Sequence, residues 1–564
     1  MGIIDCIIIL LIVGVIIFIQ IRKYIAQKKG EKLEIDYTID EFCNKHYKKI
    51  WCVWIVIIFI TVIYQFRTLP AFMGVDEAAM AYDAHCIANC GTDRYLNSFP
   101  LYLTNFGSGQ STLCCYLAVV FIKLLGDNII AYRMPALFIY LLAVVASYLL
   151  VSKAKDKKTA LLFTFIIITC PWNILTAREA LDCNLYAGMF MISLFLMQRA
   201  KKNYQYIIAG LVLGLTLYTY CLSWITLPLF LVVWSIYMLY MKKIKIKQLI
   251  FMAVPIFILA IPLIYFLLLN LGVVESTQIG IFTLPILQDF RIGKISVLNI
   301  WKTGLESLKT IFFTEQALYF IYVPLFVIGF IIGIIQTCKK IKKREYSITS
   351  VFVSAFITLL LGLLCTRIPT ANKANVLYIP ILYFVTLAIL SIAKYSKWIF
   401  AAAFICITIL CINFEIYYYS SYATYPEQKW FSDKYLIPLA QELEENEETK
   451  NLKKYVMIEA TSPYIYIALA TKLSPYDFMD TWEEIEFYGV KETRKLGNYY
   501  YYTYYYHKKE FQEIDFGKEK TILIISKLYE DVIEEMDKRG YEKEEYEMYM
   551  YIPLKKSHYG SFYL

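Results

Sequence analysis

The chain has 564 residues, 59% of them hydrophobic and only 18% charged, where a soluble domain carries about a quarter charged. Its apolar residues come in blocks of roughly 17 to 24, long enough to cross a bilayer as helices, which excludes an ordinary soluble protein. The formal charge of +9 is no nucleic-acid signal, because the lysines cluster between the apolar blocks.

In chain order the blocks read as spans at 3–21, 51–67, 134–151, 159–175, 182–198, 205–221, 224–241, 249–270, 318–337, 349–366, 375–393 and 398–414. The first has no basic region before it and no A-x-A site after it, so it reads as a span rather than a cleaved signal. The expected architecture is an all-α polytopic membrane protein of about 12 transmembrane helices with a C-terminal extracytoplasmic α/β domain. Its parts are an extra N-terminal span and cytoplasmic linker (1–50), a membrane domain (51–417) with a long first outer loop (68–133), and the tail (418–564).

Lys and Arg set the orientation. The connections around Arg22–Lys29, Lys153–Lys158, Lys201–Lys202, Lys242–Lys247 and Lys339–Arg344 are basic, and they alternate with connections poor in basic residues. The basic set is expected in the cytoplasm. The block 113–125 is apolar but too short to span. Counting it as a span would invert every later loop, so it reads as an interfacial or re-entrant helix. In the tail, "YVMIEA" and "TILIIS" read as buried strands, and "YEDVIEEMDKRG" as a helix closed by Gly540. The run "NYYYYTYYY" (498–506) fits a packed strand with two aromatic faces, or a surface for stacking on sugars.

The sharpest question lies at 72–84, "FMGVDEAAMAYDA", where Asp76, Glu77 and Asp83 follow directly on a membrane-grade run. In a helix, Asp76 and Asp83 share a face. Asp76 also suits an N-cap, which would account for it structurally; Glu77 and the polar stretch 91–111 are left unexplained. A loop of some sixty residues without regular structure is unusual unless functional. Other outer turns carry charges too. "TAREALDCNL" places Arg178 and Asp182 at i, i+4, the spacing of a helical ion pair. "CTRIPTANKANVLYIP" carries Arg367 and Lys373. Each cation has a bland reading as an anchor reaching for the interface. Together, acids and cations at one membrane face suit a carboxylate that takes a proton from an attacking hydroxyl and cations that hold a departing phosphate.

The Asp-Glu pair after a span, the long outer loop, "YRMPALF" and "TAREALDCNL" resemble bacterial glycosyltransferases of the GT-C superfamily. The set most similar is glycosyltransferase family 39, or protein mannosyltransferase-like, with the aminoarabinose transferase as a relative. The likeness covers about 50–200 well and 365–395 loosely. "VDEAAMAYDA" and "DRYLNSFPLYLTNFGSGQS" are similar to a subgroup from Gram-positive bacteria. The resemblance implies transfer, with inversion, of a sugar from a polyprenyl-phosphate donor to a cell-surface glycan, lipid or protein at the plasma membrane. It implies Asp76 and Glu77 as the catalytic acids, and Arg133, Asp182 and Lys373 among the substrate-binding residues. Asp83, Arg178 and Arg367 join that binding set from their positions.

No cofactor is expected. A divalent metal is compatible with the family but not predicted, since only His85 of four histidines lies near the acids. The 14 cysteines lack metal-ligand spacing; Cys86 and Cys90 share a helix face without further ligands. Two competing readings remain. A flippase or exporter of lipid-linked glycans would favour charges in mid-span and inverted repeats. An inactive relative would bind glycan through its tail.

Overall fold

The computed structural model describes residues 21, 25, 37–290, 295–314, 316–366, 370–394, 397–424, 432–487, 490–516, 520–540 and 549–551. The span expected at 3–21 and Arg367 lie outside the described residues.

Seven described helices are long and apolar enough to cross a membrane: Ile39–Ile63, Ile129–Ala154, Ser223–Tyr240, Ile246–Asn270, Tyr322–Lys342, Ala371–Ala393 and Ile399–Tyr422. Four further expected spans are shorter helices, at Lys157–Ile168, Asn184–Arg199, Asn203–Thr216 and Ile348–Leu364. The run 159–175 is divided in two because Pro171 starts a new helix, Pro171–Thr176, at a position where its missing N–H costs nothing. The bundle is centred on Tyr378–Ala393, buried along almost its whole length. Gly329 lets a neighbour approach it: a Cβ there would lie 1.8 Å from the Phe384 carbonyl oxygen.

The block 113–125 is a helix of 13 residues, Leu113–Leu125. It packs between Val75–Cys90 and Ile129–Ala154. The connection 272–317 contains a further helix, Leu298–Phe313, whose Trp301 and Leu305 are both 85% exposed. Lys302, Glu306 and Lys309 lie on a face of their own but interrupt the apolar residues along the sequence, so no long apolar run betrayed it.

The tail holds a six-stranded mixed sheet in the order 549–551, 521–526, 453–457, 499–501, 490–496, 483–487. Strand Thr521–Ser526 pairs in parallel with Lys453–Met457, and all six of its residues are buried, as its unbroken apolar run requires. "NYYYYTYYY" divides: Tyr499–Tyr501 is a strand, and Tyr504 opens a helix running to Glu513. Tyr499 and Tyr501 face one core while Tyr500 stacks on Tyr455 at 5.2 Å, so the strand part is packing.

The tail is docked on the long connection 68–133. Met73–Gly74 pairs antiparallel with Ser432–Asp433. The Tyr82 hydroxyl donates to the Leu473 carbonyl (3.0 Å), and the Tyr466 hydroxyl to the Met73 carbonyl (3.2 Å). Lys472 donates to the Asp127 carbonyl (2.8 Å) just before helix Ile129–Ala154. That helix is about 39 Å long at 1.5 Å per residue. Its far end carries Lys155, and next to it Lys158 pairs with Asp40 at 2.9 Å. The tail and the basic turn therefore sit at opposite ends of a membrane-length helix.

Candidate active site

The strand pairing at Met73–Gly74 delivers the chain so that helix Val75–Cys90 starts with Gly74, not Asp76, as N-cap. Asp76 and Glu77 fall in its first turn, where the helix dipole favours acids. Successive residues point about 100° apart, and the two carboxylates part company. Asp76 is exposed and Glu77 is 2% exposed.

Glu77 is enclosed by partners. Its Oε1 accepts from Arg133 Nε (2.8 Å) and from the Ala180 N–H (3.0 Å), and its Oε2 from Arg133 Nη2 (3.3 Å). Arg133, fully buried, also donates to the Pro70 and Phe72 carbonyls, both at 2.9 Å. Arg178 is equally occupied, donating to the carbonyls of Thr61 (3.2 Å), Tyr64 (3.0 Å) and Leu69 (3.2 Å). The convergence of Arg133, Arg178 and Lys373 on one phosphate site, expected from their places at span ends, is therefore not what the structure contains. Both arginines tie the end of helix Ile39–Ile63 and the irregular chain 64–72 after it to the bundle. The helical ion pair expected between Arg178 and Asp182 does not form either, since residues 177–183 are turns rather than helix.

Asp83 is buried and forms an ion pair with buried Arg94, at 2.9 Å from Nη2, reinforced by the Arg94 N–H at 3.2 Å. Arg94 Nη2 also reaches Asn105 Oδ1 at 3.4 Å. This leaves the amide nitrogen of Asn105 to donate to Asp76 Oδ1 at 2.7 Å. Asp83 thus acts on the exposed acid through two intermediaries. Sequence reasoning flagged the 91–111 stretch but singled out neither Arg94 nor Asn105.

Asp182 accepts from the N–H groups of Ser111 (2.9 Å) and Cys183 (2.7 Å). Burial raises its carboxyl to about 7, and the Asp76 charge pushes the same way. Asp182 also acts electrostatically on Tyr102 and Cys221. These two residues line a cavity of about 520 Å³ with Trp224, Phe266, Phe290 and Lys373. Lys373 stands on the short helix Ala371–Ala374 and is its cation among the described residues. Of these residues Lys373 lines the largely apolar cavity, where Asp289 is the lining carboxylate; Asp182 acts on two of its wall residues and Asp76 on Asp182, while Glu77, Asp83, Arg133 and Arg178 are held by their own hydrogen bonds outside its lining. Glu179, not picked out from the sequence, is raised to about 7 by burial and by Glu77, against the pull of Arg133. Its only sequence signal was its place beside Arg178. Among the described residues no three of His, Cys, Asp and Glu cluster as a metal site.

No protein-family model matches the sequence, and no curated protein does. Solved structures do. The aminoarabinose transferase ArnT from Cupriavidus metallidurans in the apo state superposes with a TM-score of 0.54, at 11% identity, over 90% of this chain and 98% of its own. The same transferase bound to undecaprenyl phosphate gives 0.52, at 10% identity, over 92% and 99%. An oligosaccharyltransferase from Archaeoglobus fulgidus, in complex with Zn and sulfate, gives 0.49 at 15% identity, over 75% of this chain and 61% of its own. The fold is the GT-C fold: a polytopic helical membrane domain carrying a C-terminal domain with a β-sheet. The ArnT match extends through nearly the whole of both chains, so the tail is included in it.

Proposed function

We propose that this protein is a membrane glycosyltransferase that moves a sugar, with inversion, from a polyprenyl-phosphate donor to a hydroxyl of a cell-surface glycan, lipid or protein. The observation that carries the reading is Lys373 in the wall of the 520 Å³ cavity, with Asp182 in electrostatic reach of the wall residues Tyr102 and Cys221 and of Asp76. The fold agrees, since a solved neighbour of 98–99% coverage was captured with undecaprenyl phosphate.

In this reading the apolar wall of Tyr102, Trp224, Phe266 and Phe290 takes the first isoprene units and the sugar face. Lys373 holds the phosphate. The acceptor oxygen attacks the anomeric carbon from the side opposite the phosphate, and the bond from that carbon to the phosphate oxygen breaks. The electron pair leaves on the lipid phosphate, whose growing charge Lys373 offsets. The acceptor proton passes to Asp76, held in place by Asn105. Asp182 positions the acceptor beside it. Glu77 acts at one remove, by fixing Arg133 and the Ala180 backbone two residues before Asp182. The site and tail face the outside of the plasma membrane, as the Lys/Arg asymmetry directs.

The test is transfer from a polyprenyl-phosphate sugar by purified protein in vesicles. Asp76→Asn is expected to keep its melting temperature and lose turnover. A folded variant with near-normal turnover overturns the assignment. Cysteine labelling at 155 from outside the cell overturns the orientation.

A further inference from the structure

A second cavity, of about 480 Å³, shares no lining residue with the first. It lies between helix Ile39–Ile63, helix Lys157–Ile168 and helix Ile399–Tyr422, and its mouth faces the bilayer: Ile60, Ile412 and Ile416 are 49%, 55% and 63% exposed. Most polar groups in its wall are already satisfied. Thr61, Thr169 and Thr408 donate to carbonyls of their own helices at 3.0, 2.7 and 2.8 Å. The Tyr419 hydroxyl donates to the Ile60 carbonyl at 2.8 Å.

Glu415 differs. It is 9% exposed, and both carboxyl oxygens are buried with no hydrogen-bond partner among the described residues. Arg178 lies within electrostatic reach. Its Nη atoms are engaged elsewhere, and no hydrogen bond joins the two. A carboxyl at membrane depth without a partner costs several kcal/mol, and such residues face a working cavity rather than lipid.

The occupant that completes this site has a long apolar body to lie along Ile60, Ile412 and Ile416, and a polar group that bonds a carboxyl. A phosphate would set two anions together, and an ammonium would meet Arg178. A hydroxyl suits the carboxyl in either state, donating to it when charged and accepting from it when protonated. Depth selects further. Glu415 lies seven residues, about 10 Å, below the end of its helix at Tyr422, too deep for a zwitterionic headgroup. We propose that this lateral cavity binds a neutral lipid through its hydroxyl, the chemistry shared by long-chain alcohols and diacylglycerols, with Glu415 as the recognising group. The proposal does not depend on the glycosyltransferase reading.

The test uses the full chain in vesicles of phosphatidylethanolamine and phosphatidylglycerol. Photoactivatable diazirine derivatives of hexadecanol and of dioleoylglycerol are added, each beside its deoxy analogue, in which hydrogen replaces the hydroxyl. Labelled peptides are mapped by mass spectrometry. At least one hydroxyl probe is expected to label residues 57–64 and 408–419 about fivefold more than its deoxy analogue, the ratio one net hydrogen bond supplies; whichever probe does so identifies the source. Glu415→Leu is expected to remove the excess and Glu415→Gln to keep it. Ile412→Trp, which fills the cavity and leaves the carboxyl in place, is expected to remove labelling altogether, and it decides the matter if Glu415→Leu fails to fold. Equal labelling by hydroxyl and deoxy probes, meaning any bilayer chain fills the space, overturns the proposal. So does an excess that survives Glu415→Leu.

Discussion

The helix Val75–Cys90 separates two regions of opposite design. Behind it, Glu77, Asp83, Arg94 and Arg133 are sealed from water and paired to one another at 2.8–2.9 Å. In front of it, Asp76 is exposed and Asp182 half-buried, each holding only hydrogen bonds from neutral donors. The same residue types do different things because one set meets cations and the other does not. A paired carboxylate in a closed core fixes geometry; an unpaired one beside a cavity is available for proton transfer.

The largest effect expected from breaking this contrast is at Asp76. Asp76→Asn is expected to slow transfer by about 10²–10⁴-fold, the usual worth of a general base, with an unchanged melting temperature. Glu77→Gln acts on the other region. It leaves Arg133 buried and uncompensated, and is expected to remove about 3–5 kcal/mol of stability in thermal or denaturant unfolding, with activity following the folded fraction. If both variants behave alike, the two regions are one. Lys373→Gln is expected to weaken donor binding by about 1.5–3 kcal/mol, read as a higher KM for the lipid-linked sugar and an unaltered KM for the acceptor. Asn105→Leu removes the bond that aims Asp76 and is expected to lower kcat about tenfold, whereas Asn105→Asp, which sets a like charge against Asp76, is expected to move the pH profile as well.

The smallest effect sharpens the electrostatics. Asp182 is raised to about 7, against about 4 when unfolded. Between those values the folded state binds a proton that the unfolded state has released, so stability falls as pH rises from about 4 to about 7 and is level above. Asp182→Asn is expected to flatten that slope when melting temperature is followed against pH. The slope that remains belongs to the other carboxyls that burial raises, Glu179, Asp83 and Asp93.

The membrane character, the short helix Leu113–Leu125 and the tail strands were legible because each rests on a local pattern of apolar length or alternation. Asp76, Asp182 and Lys373 were legible as isolated charges at span ends. Their neighbours were harder to read. Whether an arginine at a span end meets a ligand or a carbonyl depends on the chain beside it, and residues 61–72 turn their carbonyls toward Arg133 and Arg178 through tertiary packing that no local spacing encodes. Asn105 is one polar residue in a polar loop, and its importance comes from Arg94 fixing the orientation of its amide. Helix Leu298–Phe313 escaped notice because charged residues alternate with its apolar ones along the sequence and leave no long apolar run.

The two-residue ladder between Met73–Gly74 and Ser432–Asp433, with Tyr466 on the Met73 carbonyl, has a consequence for exchange between related proteins. The residues immediately ahead of Asp76 are registered by a segment more than 350 positions later in the chain. A chimera that swaps the membrane bundle but keeps a foreign tail would shift the strand that starts the acidic helix, and with it Asp76, by whatever its own register dictates. Graft boundaries that respect this coupling move residues 68–133 and the tail together as one unit and leave the remaining helices as the host.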